Sequence, residues 1–95
     1  MPSRLIFYRK NVGAEGDIVE MKIWEVPGSR RTPEGIKYSL AYVRGGKRLI
    51  GHDNAEGKGH HKHVGNVETL YSFENVDRLI EDFLADVGEL RRGGT

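Results

Sequence analysis

All four histidines of this 95-residue chain fall between Gly51 and Gly65: His52, His60, His61 and His63, interleaved with Asp53, Glu56, Lys58 and Lys62. Imidazole titrates near neutral pH without perturbation, so a pair of them can take a proton and return one within a turnover. Two histidines beside a phosphodiester suffice to cleave RNA without a metal, because the 2′-hydroxyl is the nucleophile. Spacing singles out His61 and His63, since side chains two apart on an extended segment point to the same face. On this reading His61 and His63 share the catalytic acid and base work. Asp53 fixes an imidazole tautomer, as triad aspartates do. Lys58 and Lys62 hold phosphate and offset its developing charge. The glycines around them allow backbone amides to approach an anion.

Two other chemistries compete for the same residues. Adding His60, His52 or Asp53 to the His61–His63 pair would make a three-ligand metal site and a metal-dependent hydrolase. No helical H-E-x-x-H pair is present, however, and the two lysines would repel a cation, so no metal and no cofactor are expected. The third reading is non-catalytic, an exposed basic surface that binds an anion or a partner. Ser39 and Ser72 lie in no G-x-S-x-G motif, and no phosphate-binding or dinucleotide fingerprint occurs.

The elements that must position these groups are legible in the hydropathy pattern. Arg4–Arg9 reads as a first strand. In 17–26, Val19, Met21 and Ile23 alternate with Glu20 and Lys22, the period of a half-buried strand. In 36–44, Ile36, Tyr38, Leu40 and Tyr42 share a face, Gly45-Gly46 forms a two-residue hairpin turn, and 47–53 returns antiparallel. Residues 54–65 read as a long loop, and 67–73 as the last strand. Asn75 suits a helix N-cap, and Val76, Leu79, Ile80, Phe83, Val87 and Leu90 then trace one apolar helical stripe. The expected fold is α+β: a single domain over 1–95, with a twisted antiparallel sheet of about five strands and one C-terminal amphipathic helix packed on one face.

Composition narrows the classes further. Leu, Ile, Val and Phe make up 24 of 95 residues and the net charge is +1, which separates the chain from disordered sequences. With no cysteine there is no disulfide framework, thiolate metal site or cysteine nucleophile. No apolar run is long enough for a signal-peptide core or a membrane span, so a soluble cytoplasmic protein is expected. The small net charge hides asymmetry. From Arg44 to His63 there are five cations and two acids, and from Asn75 to Leu90 five acids and one base. A domain this small buries a modest share of its surface, so a partner subunit, as in a homodimer, would help it.

Several blocks resemble the TumE family: Asp17-Ile18-Val19-Glu20-Met21-Lys22-Ile23-Trp24, Tyr38-Ser39-Leu40-Ala41-Tyr42-Val43, Asp53-Asn54, Gly57-Lys58-Gly59, His61-Lys62-His63 and Asp82-Phe83-Leu84-Ala85-Asp86-Val87. The resemblance runs from about Arg4 to Leu90. It implies the toxin of a toxin–antitoxin pair, with a helix-turn-helix antitoxin, TumA, as partner. Asn54, from the Asp-Asn block, joins Lys58 and Lys62 as a substrate-binding residue. His52 and His60 depart from the pattern, where an aromatic and Asp are more usual, and are the weaker site candidates. Ribonuclease chemistry, with RNA as the second partner, comes from the histidines and not from the resemblance.

Overall fold

The computed structural model describes residues 3–30, 33–54 and 59–93. Six strands, β1 (Arg4–Val12), β2 (Ile18–Glu25), β3 (Ile36–Arg44), β4 (Lys47–Asp53), β5 (His61–Val64) and β6 (Val67–Leu70), form one sheet in chain order, and α1 spans Val76–Gly93. Every neighbouring pair is antiparallel. The α+β expectation of an antiparallel sheet with one C-terminal helix is met, with six strands in place of about five. The additional strand is β5, inside the segment read as a loop, and the expected 67–73 strand stops at Leu70. The physical reason is that His61-Lys62-His63-Val64 places polar side chains on both faces, which leaves no apolar alternation to detect.

Glycine turns set the register. Gly45 and Gly46 take φ values of 60° and 77°, and Gly65 takes 59° at the β5–β6 turn, backbone that L side chains rarely adopt. The helix starts where Asn75 Oδ1 accepts a hydrogen bond from Arg78 N at 2.8 Å, the expected cap.

Leu79, Phe83 and Val87 of α1 are buried against Val19, Met21, Ile23, Tyr38, Leu40, Tyr42 and Ile50. Each fully buried apolar side chain of this kind contributes roughly 2 kcal/mol. Arg91 Nε, at the far end of the helix, donates to Asp17 Oδ2 at 3.1 Å, while Tyr42 Oη donates to the same oxygen at 2.7 Å. These bonds hold the Asp17 carboxyl below its ordinary range, with the Tyr42 hydrogen bond the larger cause. Nearer the start of the helix, Tyr71 Oη donates to Asp82 Oδ2 at 2.6 Å, so the helix is tied down beside β6 and again beside β2. Among the described residues no helix is long and apolar enough to cross a membrane.

Candidate active site

Cross-strand partners share a face, so the ladder sorts the histidine region into two sets. On the helix side lie Leu40, His52, Lys62 and Thr69, paired across β3 to β6. On the other side lie Ser39, Asp53, His61 and Leu70, and beside them Ala41, Gly51, His63 and Glu68. Among the described residues no helix covers this second face.

Two imidazole–carboxylate pairs stand next to each other there. His63 Nε2 is 3.3 Å from Asp53 Oδ2, and His61 Nδ1 is 2.9 Å from Glu68 Oε2. Strand rise separates the two histidines by ~7 Å, a span that brackets a phosphate. A carboxylate facing one ring nitrogen favours the tautomer protonated there. The two are unequally open: the His63 side chain is 20% exposed and that of His61 11%, with His61 Nε2 buried and without a hydrogen-bond partner among the described residues.

The remaining candidates sit elsewhere. Lys62 Nζ lies 2.6 Å from Asp86 Oδ2 of the helix, on the face opposite His61 and His63. Asn54 is buried and extends the β3–β4 ladder with its side chain, accepting from Tyr38 N at 3.0 Å and donating to Ile36 O at 2.7 Å. The structure thus does not bring Lys62 or Asn54 to the histidine pair. Lys58 lies outside the described residues.

His52 is 1% exposed, with its ring edge-on to Tyr71 at 4.8 Å and to Phe83 at 5.9 Å. Burial, aided by Lys62, lowers its pKa to about 4, so it is a neutral core residue at pH 7. His60 stacks on Phe73 at 4.6 Å, with Nδ1 2.8 Å from Tyr38 Oη and Nε2 3.0 Å from Glu34 Oε2. Burial raises the Tyr38 phenol above its ordinary range, so it stays protonated beside His60. This chain of bonds ties the segment before β3 to the segment before β5. Among the described residues no group of three or more His, Asp or Glu side chains is placed to hold a metal.

The family model described as Toxin TumE matches residues 3–91. The chain belongs to the TumE toxin family. No curated protein and no solved structure matches it. Membership makes the protein a toxin and implies an antitoxin partner. The family resemblance of His61-Lys62-His63 now has a geometric content, because the three residues alternate between the two faces of the TumE sheet. Glu68, the carboxylate partner of His61, is not among the residues expected from the sequence. The signal was the Gly65-Asn66 turn: a two-residue hairpin there pairs His63 with Glu68 and His61 with Leu70.

Proposed function

We propose that this TumE toxin is a metal-independent ribonuclease acting on the sheet face that the helix leaves open. The observation that carries the reading is the side-by-side placement of His63 against Asp53 and His61 against Glu68 on that face. One histidine removes the 2′-hydroxyl proton as O2′ bonds to phosphorus. The P–O5′ bond breaks, and the other histidine protonates the departing oxygen. The products are a 2′,3′-cyclic phosphate and a 5′-hydroxyl. His63, the more open ring, is the group that meets substrate first. RNA as substrate sets its place of action in the cytoplasm.

The partner proposed is a helix-turn-helix antitoxin of the TumA type that covers the same face and excludes RNA. A homodimer would form edge to edge at β6, where Val67 and Leu70 are exposed.

A second reading is favoured by one observation, the enclosure of His61 Nε2. If that ring only supports the fold, the face binds an anion or partner without chemistry. The test is cleavage of a labelled RNA in EDTA, beside DNA of the same sequence. Cleavage confined to RNA with cyclic phosphate ends is expected, and His63→Ala or His61→Ala should lower the rate about 10²–10⁴-fold. Full activity in both variants, or equal cleavage of DNA, refutes the mechanism.

A further inference from the structure

Arg48 and Gly51 are three residues apart on β4, a spacing that puts side chains on opposite faces of a regular strand. The ladder breaks that parity. Tyr42 pairs with Ile50 but Val43 pairs with Arg48, which leaves Leu49 as the extra residue of a bulge. Arg48 and Gly51 consequently share the uncovered face. Glycine makes this close approach feasible: a Cβ at Gly51 would lie 3.0 Å from Arg48 Cδ, 3.1 Å from Nε and 3.2 Å from Cζ. The arginine thus lies down along the strand over the glycine. The strand partners of Gly51 are Ala41 and His63. Cross-strand neighbours of this type have Cβ positions about 5 Å apart, so the guanidinium over Gly51 lies in the cross-strand row that holds Ala41 and His63. Among the described residues Arg48 has no carboxylate partner.

From this juxtaposition we infer that Arg48 and His63 form a phosphate site over Gly51, taking a phosphodiester of single-stranded RNA. The inference rests on the ribonuclease reading for its substrate class, and on the bulge and the glycine for its geometry. The guanidinium is a planar fork of donors that matches two phosphate oxygens. Here its stem is already laid against the sheet, so less freedom is lost on binding. Ser39, Ala41 and Gly51 give the middle of the face a floor of small side chains on which a backbone can rest. Lys22 shares the row of Ser39, and Lys37 lies across from Trp24 on the same face, with its ammonium 5.9 Å from the indole centroid.

The experiment measures binding of a fluorescein-labelled hexauridylate whose 2′-hydroxyls are methylated, so that it cannot be cleaved, by anisotropy over a salt series. Cleavage of ordinary RNA is assayed in parallel. Arg48→Ala should weaken binding tenfold or more and reduce the salt slope by about 0.7, one phosphate contact to a single strand. Arg48→Lys should restore the slope but only part of the affinity. Gly51→Val, which fills the arginine's place, should weaken binding although Arg48 remains. Arg92→Ala removes the same charge from the helix end and should stay within twofold of wild type. Melting temperatures check that each variant is folded, and Arg48→Ala carries the test if Gly51→Val is not. Binding by Arg48→Ala equal to that of Arg92→Ala overturns the site, as does a wild-type protein that does not bind the probe. A wild-type protein that binds through Arg48 yet cleaves no RNA leaves the site standing and refutes the ribonuclease reading.

Discussion

The two faces of the sheet treat the same residue types in opposite ways. On the helix side His52 is walled in by Tyr71 and Phe83, its ring nitrogens have no hydrogen-bond partner among the described residues, and burial lowers its pKa to about 4. On the open side His61 and His63 each face a carboxylate. Lys62, between them in sequence, crosses to the helix side and is held by Asp86. The difference teaches that a cluster of histidines along a chain is not a site. Strand parity divides it, and the helix then decides which half becomes core. Burial without a partner penalises the charged imidazole of His52.

The largest effect expected on the covered side is Phe83→Ala. The ring is fully buried, and its removal should cost about 3–5 kcal/mol. At roughly 4–8 °C per kcal/mol for a domain of this size, the melting temperature should fall by at least 12 °C. His63→Ala, on the open side, should shift it by only a few degrees. Equal losses from both would break the contrast between the faces.

A pH titration of stability sharpens it. Folding lowers the His52 pKa from 6.5 to about 4, so the unfolded chain binds the extra proton in that window and stability rises with pH. The stabilisation is complete above pH 6.5 and is lost as pH falls toward 4, by roughly 3 kcal/mol. Denaturant unfolding of His52→Leu should be flat across this range by comparison. Asp17 and Asp82, both held below their ordinary range by a tyrosine hydrogen bond opposed by burial, act at lower pH and persist in that variant. An unchanged slope in His52→Leu would show that the ring is not the group responsible.

Asn54→Ala should cost about 2 kcal/mol, because Tyr38 N and Ile36 O would be left in the sheet without their side-chain partner. Chemical denaturation measures it. The smallest effect belongs to Lys62→Gln. Its ion pair with Asp86 is about one-third exposed on each side and should be worth less than about 1 kcal/mol. RNA cleavage by this variant should equal that of wild type. A large loss of cleavage at unchanged stability would return Lys62 to the substrate, where sequence reading put it.

Much of the fold was legible because it rests on local periodicity. The stripe through Leu79, Phe83 and Val87, the alternation of Val19, Met21 and Ile23, and the Gly45-Gly46 turn each reflect a repeat or a backbone demand carried by neighbouring residues. β5 was harder to read, since His61-Lys62-His63 is polar on both faces, whereas β6 was legible from its alternation and only its end, Leu70, fell short of the expected Phe73. For the site, the shared face of His61 and His63 follows from spacing. The partners Asp53 and Glu68 need cross-strand register, which a two-residue turn at Gly65-Asn66 supplies for one of them only.

By itself, then, the sequence determined which residues alternate, where glycine must turn the chain and that one helix must bury a stripe. These are properties of the chain over a few residues, where steric and hydrophobic periods act directly. The alternation of Val19, Met21, Ile23, Tyr38 and Leu40 already marked the face that helix covers; the tertiary structure decided the register of β4 and β5 against it, and with it that His52 and Lys62 lie on the packed side while His61 and His63 lie on the other. It also decided, through one bulged residue at Leu49, that Arg48 lies over Gly51, the strand partner of His63. Both outcomes depend on pairing between distant strands, and a shift of one residue exchanges the faces of every side chain beyond it.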